Sequence, residues 1–272
     1  MSDIEQYYLT ILRLVKEAGS IIRENIYRTK NAMTKSCDVD LVTEWDRKVE
    51  SVLIEGISAK FPDHKFIGEE ETALGKQVEL TDAPTWIIDP IDGTMNFVHG
   101  LPHTCISVAL LINKTAEIGV VYNPILEQFY SARKGQGAFL NGVPIQVSGE
   151  KDLSKALILL ETGTSRDPEK MKIMFENIAI LTPKVHGTRA MGSAALNMCL
   201  VAFGGGDAFF EFGIHAWDIA AGDIIVREAG GVCIDPSGGT FDVMSRRVLC
   251  ASSPELADEL SKILVQYHPE RD

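Results

Sequence analysis

Trp86-Ile87-Ile88-Asp89-Pro90-Ile91-Asp92-Gly93-Thr94-Met95-Asn96-Phe97 is the stretch on which the reading of this chain turns. Trp86, Ile87 and Ile88 have strand character. Pro90 cannot donate a ladder hydrogen bond, so the strand is expected to stop at Asp89-Pro90. Asp89 and Asp92 then bracket a tight turn, Gly93 is free to take an unusual backbone angle, and Thr94 opens a short helical turn. Two carboxylates three residues apart at the end of a buried strand repel each other unless a counter-charge is present. A divalent cation held by oxygen ligands supplies one. The N–H groups of Gly93 and Thr94 favour an anion, and a phosphate suits them. Asp-Pro and Asp-Gly are also ordinary turn formers. The whole string, with Glu69-Glu70 upstream, favours a site for metal and phosphate together.

The chain of 272 residues suffices for one large domain or two tightly packed halves, and its 45% hydrophobic and 24% charged residues are those of a globular protein. A net charge of −12 argues against nucleic acid or an anionic membrane as partner. An acidic protein that handles phosphate must reverse its field locally, which again points to bound cations. The N-terminus lacks the basic and apolar regions of a signal peptide, and no stretch of membrane-spanning length is free of charge. Five cysteines at wide spacings (Cys37, Cys105, Cys199, Cys233, Cys250) form no disulfide framework. Reduced thiols and a cytoplasmic location are expected.

Outward from the central string, Ile4, Tyr8, Ile11, Leu12, Val15, Ala18 and Ile22 recur at helical spacing. A second helix starts near Thr43 and ends at Phe61-Pro62. The acidic segment between them (Asp38, Asp40, Glu44, Asp46) is either a solvated loop with helix-start carboxylates or the carrier of Asp46 into the metal site. Residues 65–68 form a strand that delivers Glu69 and Glu70, and residues 71–84 are expected to be a loop or flap. Residues 105–112 form a buried strand followed by an antiparallel meander. In the second half strands and helices alternate: a strand at Leu157–Leu160, a helix from Pro168, a short strand at Lys184–Gly187, a helix from Ser193, a strand carrying Glu211, a helix from Trp217, and a last helix from Ser253-Pro254 to about Tyr267. Residues 1–272 therefore read as a single domain with halves near 1–150 and 151–272: two sheets layered with helices, and a site at the seam.

Asp218 in His215-Ala216-Trp217-Asp218 is either a first-turn capping residue or a further metal ligand from the returning chain. Asp223 lies about 140° further round that helix and is expected to be solvated. Met191-Gly192-Ser193-Ala194-Ala195 is either a place where substrate approaches backbone N–H groups or a tight helix contact. The histidine spacings fit no zinc motif, and oxygen donors suit Mg²⁺.

WIIDPIDGTMNFVHGLP, the upstream GEE (Gly68–Glu70) and the downstream HAWDIAAGD (His215–Asp223) resemble the inositol monophosphatases, particularly the animal enzymes. The likeness extends to DLVTEWD (Asp40–Asp46), VHGTRAMGSAALNMCLVA (Val185–Ala202) and GGVCIDPSGGTFDVMSRR (Gly230–Arg247). The resemblance implies a layered αβαβα sandwich, a homodimer, and Mg²⁺-dependent, lithium-sensitive hydrolysis of myo-inositol monophosphates. It implies that Glu69, Asp89 and the Ile91 carbonyl hold a first Mg²⁺, that Asp89, Asp92 and Asp218 hold a second, and that Glu69 shares a third through water. Gly93 and Thr94 would bind phosphate, and Thr94 paired with Asp46 would help Glu69 and the first metal activate water. Asp92, Glu211, Thr164 and the backbone of Gly192, Ser193 and Ala194 would contact inositol hydroxyls. The competing readings are a sister phosphatase acting on a sugar bisphosphate, an inositol polyphosphate or a 3′-phosphonucleotide, and a non-catalytic regulatory scaffold.

Overall fold

The computed structural model describes residues 3–30, 32–34, 41–76 and 79–272. Asp38, Asp40 and Cys37 of the sequence reading lie outside them. The first half opens with α1 (Asp3–Asn25), the short strands β1 (Met33–Thr34) and β2 (Leu41–Val42), and α2 (Glu44–Ser58). It continues with β3 (Lys65–Gly68), α3 (Glu69–Ala73), β4 (Thr85–Asp92) and α4 (Thr94–His99). The meander is β5 (Cys105–Ile112), β6 (Thr115–Asn123), β7 (Gln128–Arg133), β8 (Ala138–Leu140) and β9 (Val143–Ile145). The second half is β10 (Leu157–Leu160), α5 (Pro168–Leu181), β11 (Gly187–Arg189), α6 (Ala194–Phe203), β12 (Ala208–Phe212), α7 (Ala216–Glu228), β13 (Val232–Ile234), β14 (Arg247–Ala251) and α8 (Pro254–Ile263).

Among the described residues, β3 to β9 form a seven-stranded sheet in sequence order, parallel only between β3 and β4. A five-stranded sheet runs β11-β10-β12-β14-β13. The two-residue period of the strands sorts side chains into layers. On β5, Ile106, Val108 and Leu110 face one way and pack with Val15 and Ile22 of α1 and Leu53 of α2. Cys105, Ala109 and Leu111 face the other way, onto α6 and α7. The far side of α6 and α7 meets Leu159, Phe209 and Cys250 of the second sheet. The opposite face of that sheet, through Ile158, Phe210 and Leu249, receives α5 and α8. The order is helix, sheet, helix, sheet, helix: an αβαβα sandwich. The central layer is tight. A Cβ on Gly119 of β6 would lie 2.4 Å from Ile224 Cγ2 and 2.7 Å from the Ala221 carbonyl of α7.

Several boundaries differ from expectation. Strand β4 does not stop at Pro90 but runs through it to Asp92. Asp89 pairs with Ser107 and Asp92 with Cys105, so three steps along β4 match two along β5. This is a bulge, the one place inside a sheet where proline's missing N–H costs no ladder bond. The expected flap begins as a helix, α3, rather than as loop. The strand expected at Lys184–Gly187 falls later, at Gly187–Arg189, where it pairs with β10. The last helix ends at Ile263, short of Tyr267.

Candidate active site

The bulge decides where the central carboxylates point. In a regular strand, residues three apart lie on opposite faces. On β4, Trp86 and Ile88 join the layer against α1 and α2, and Ile87 joins the inner layer. Past the extra residue the alternation is inverted, and Ile91 also lies in the outer layer. Asp89 and Asp92 consequently share the inner face. There they meet Asp218, three residues into α7. One carboxylate oxygen from each of the three lies within 4.8 Å of the others.

Each carboxylate is fixed by backbone. Asp89 Oδ1 accepts the Ile91 N–H at 3.0 Å. Asp92 Oδ2 accepts the Ser193 hydroxyl at 2.6 Å and the Ala195 N–H at 2.7 Å, both from the start of α6. Asp218 Oδ2 accepts the His215 N–H at 2.7 Å, closing a capping box on α7. The two readings of Asp218 are thus one residue: one oxygen caps the helix, and the side chain also belongs to the cluster. The Asp272 carboxylate accepts the next free donor, Ala216 N–H, at 2.9 Å and contacts His215 Nδ1 at 2.6 Å.

Asp46 is fully buried. It caps α2 by accepting from Thr43, and its other oxygen lies 3.2 Å from Thr94 Oγ1. Thr94 Oγ1 is also 2.9 Å from the Ile91 carbonyl. Glu69 opens α3 on the rim of the same cleft. The cleft, of about 820 Å³, also takes in Thr164, Gly192, Ala194 and Glu211. Gly93 (φ +83°) and Gly192 (φ +82°) meet where the two halves touch. A Cβ on Gly93 would lie 2.8 Å from the Gly192 carbonyl, and the left-handed angle would strain any side chain there.

Burial pushes Asp89 well above the usual carboxylate range, and Glu69, Asp92 and Asp218 push it further. Burial, then Asp218, raises Asp92 to about 7 against the opposing hydrogen bonds from Ser193 and Ala195. Asp218 rises to about 6, chiefly by burial, with His215 opposing. Asp46 rises to about 7, again chiefly by burial. The charge of Glu69 bears on all four. A group of buried acids with oxygen donors converging on one another is the donor set that hard divalent cations fit, and such a cation relieves the repulsion.

Every residue expected at the site lies on this cleft except Asp46, which stands behind Thr94. Others escaped sequence reasoning. Glu50 of α2 accepts the Glu70 and Glu71 N–H groups at 3.0 and 2.9 Å and so caps the helix that carries Glu69. Glu161 accepts the N–H groups of Met191 and Gly192 at 2.5 and 2.7 Å, holding the Gly192 loop in place. Asn96 Nδ2 donates to the carbonyls of His103 and Met191, both at 2.8 Å. None carries a local signal, since each partner is far along the chain or placed by the loop fold. Asp223 is corrected. It is not solvated but largely buried, because the half-exposed Arg227 one turn on folds over it with its Nε 2.7 Å from Asp223 Oδ1.

Fold and site together define a class, the five-layered αβαβα proteins with an acidic cluster at the seam of their two sheets. The sequence profile of the inositol monophosphatase family matches residues 3–268, and the chain belongs to that family. It is 51% identical over 250 residues to inositol monophosphatase 1 of Bos taurus, covering 92% of this chain and 90% of the relative. Among solved structures it is similar to the Thermotoga maritima IMPase, at TM-score 0.83 and 34% identity, over 93% of this chain and 94% of that one. The inositol monophosphatase of Anabaena (Nostoc) sp. superposes at TM-score 0.83 and 30% identity, over 97% and 96%.

Proposed function

We propose that this chain is a phosphoric monoester hydrolase that converts myo-inositol monophosphates to myo-inositol and phosphate, acting as one domain over residues 1–272. The observation that carries the reading is the convergence of Asp89, Asp92 and Asp218 from both halves of a chain in this family. Two or three Mg²⁺ ions are the cofactor. Glu69, Asp89 and the Ile91 carbonyl would hold the first, Asp89, Asp92 and Asp218 would hold the second, and Glu69 would also serve a third. Bound there, the ions supply positive charge to the phosphoryl oxygens and acidify a water.

The protein's own groups do the rest. The N–H groups of Gly93 and Thr94 hold the phosphate. Thr94 donates its proton to Asp46 and turns a lone pair toward the cleft, where it orients the attacking water. The bond from water oxygen to phosphorus forms as the bond to the inositol oxygen breaks; the attacking water gives up a proton to Glu69, and the leaving alkoxide takes one from solvent. Ser193 Oγ is buried and held between Asp92 and the start of α6, and the proposed attack by water is direct, without a phosphoenzyme. Glu211, Asp92, Thr164 and the backbone from Gly192 to Ala194 receive the inositol hydroxyls. Among the described residues no helix is long and apolar enough to cross a membrane. We place the protein in the cytoplasm as a homodimer, which light scattering after size exclusion tests.

Phosphate release from myo-inositol 1-phosphate, with millimolar Mg²⁺ or with EDTA, tests the reading beside fructose 1,6-bisphosphate and a 3′-phosphonucleotide. Mg²⁺-dependent turnover that favours the inositol ester is expected. Preference for another ester discards the substrate, and no turnover by folded, Mg²⁺-binding protein discards the enzyme.

A further inference from the structure

Asp218 serves the cluster from a helix end that holds more donors than it can satisfy. The first N–H groups of α7 have no partner inside the helix. Asp218 Oδ2 takes the one on His215. The next, on the fully buried Ala216, is taken by Asp272 Oδ2 at 2.9 Å. Asp272 belongs to the segment after α8. That segment is tied to α5, where the Val265 N–H donates to Asn177 at 2.8 Å, and the Asp272 N–H donates to the Met244 carbonyl at 3.1 Å. The Asp272 side chain is only 5% exposed. Its other oxygen lies 2.6 Å from His215 Nδ1, and Arg246 Nη2 lies 3.2 Å from His215 Nε2. A guanidinium can only donate, so Nε2 accepts, and the ring proton sits on Nδ1 and is donated to Asp272. Arg246 also donates to the carbonyls of Gly213 and Ile214 at 3.2 and 3.1 Å, from a left-handed backbone (φ +59°) that is strained for arginine. The imidazole lies flat on Trp217 with ring centres 4.5 Å apart, and both rings line the cleft.

We propose that Asp272 is a positioning residue for the metal cluster: by taking the Ala216 N–H and the His215 ring proton, it keeps Asp218 turned toward Asp89 and Asp92. The inference rests on the reading that Asp218 holds a cation. Asp272 itself does not line the cleft, so it acts through α7. A buried N–H without an acceptor is costly. With Asp272 gone, Asp218, already bound to the adjacent N–H, is an acceptor within the same turn, and an oxygen drawn to Ala216 is lost to the cluster. The same loss frees the ring of His215, the residue whose backbone N–H holds Asp218. Groups that hydrogen-bond around metal ligands fix their orientation, and removing one costs about 10- to 100-fold in metal affinity.

The test is the Mg²⁺ affinity of the folded protein by titration calorimetry, beside the Mg²⁺ requirement and the KM for myo-inositol 1-phosphate. Asp272→Ala should weaken Mg²⁺ binding about tenfold or more and raise the Mg²⁺ requirement in step, with the KM at saturating Mg²⁺ unchanged. Asp272→Asn, which keeps one acceptor oxygen for two donors, should fall between the parent and the alanine variant, and it decides the matter if the alanine variant does not fold. Arg271→Ala removes the neighbouring ion pair with Asp242 and loosens the same segment without touching either acceptor, so its Mg²⁺ affinity should equal the parent's. Parent affinity in either folded Asp272 variant, or an equal loss in Arg271→Ala, overturns the proposal. Asp218→Asn separates the two layers of the inference. If it leaves Mg²⁺ affinity unchanged, Asp218 is no ligand and the underlying reading fails. If it weakens binding, adding Asp272→Ala should cause little further loss, because both act through one ligand. A full further tenfold loss would show Asp272 acting elsewhere and would overturn the proposal. On the unaltered protein, ¹⁵N resonances of His215 should place the ring proton on Nδ1, and a proton on Nε2 alone breaks the link from Arg246 to Asp272 and overturns it too.

Discussion

Ser193 Oγ lies 2.6 Å from Asp92 Oδ2, so a hydroxyl from the second half of the chain holds a carboxylate from the first. The same oxygen is 3.3 Å from the Leu196 N–H and caps α6. Ser193→Ala should cost about 1 kcal/mol of stability through the lost cap. It should also raise Asp92 above its present value, since the hydroxyl is one of the forces lowering it. Thermal unfolding and Mg²⁺ titration calorimetry near neutral pH read the two effects. Unchanged Mg²⁺ affinity would show that this hydrogen bond does not prepare the cluster.

The raised acids make stability depend on pH in a set direction. Asp92 and Asp218, at about 7 and 6, bind protons in the folded state that the unfolded chain releases near its ordinary values. Their contribution to stability is therefore lost as pH rises from about 4 through 7. Mg²⁺ takes the place of those protons. The rise in Tm on adding Mg²⁺ should be small at pH 5 and grow up to pH 8. A rise that is constant or shrinks over that range would contradict the cluster as the binding place.

Asp89→Asn removes one member of that crowded group. Turnover of the inositol ester should fall by about a thousandfold or more, since the residue is shared by both proposed metal positions. In EDTA the variant should be at least as stable as the parent, because the cost of holding a buried acid among its like-charged neighbours is gone. Wild-type rates would remove Asp89 from the reaction, and a large loss of Tm would make its role structural.

Glu50 bears on function without touching the cleft. It caps α3, and Gly68 beside it has no room for a side chain, since a Cβ there would lie 2.6 Å from Glu50 Oε2. Burial raises Glu50 to about 7 against the opposing Glu70 and Glu71 N–H groups, so above that pH Glu50→Gln keeps the shape and loses the charge at the helix N-terminus. About 1 kcal/mol of stability should go with it. Glu69, at the start of α3, should lose its set position, seen as a higher Mg²⁺ requirement with little change in the KM for substrate at saturating metal. No shift in the Mg²⁺ requirement would disconnect the cap from the metal position.

Much of the fold was legible where local chemistry speaks. The bounds of β3, β5 and β10 follow from short apolar runs between turn residues, and Thr43, Ser193 and Ser253 cap the helices expected to follow them. Asp89 and residues 91–96 of the central string, with Glu69 and Asp218 of the other motifs, do lie on one cleft. What stayed hidden was tertiary. Asp223 looked solvated because helical geometry gives the angle of a side chain but not what covers that side. Pro90 looked like a strand end because its missing donor is visible and the bulge that tolerates it is made by the neighbouring strand. Glu161 gave no sign at all, since a glutamate after a strand is commonplace until the partner 30 residues away is known.

The irregularity at Pro90 works as a shift of phase. Up to Ile88 the even-numbered side chains of β4 go outward; from Ile91 the odd-numbered ones do. Asp89 and Asp92 stand on either side of that change, so an odd spacing in the sequence becomes neighbours on one face in space. A search for paired acids that counts strands strictly by twos would assign them to opposite sides and pass over the pair.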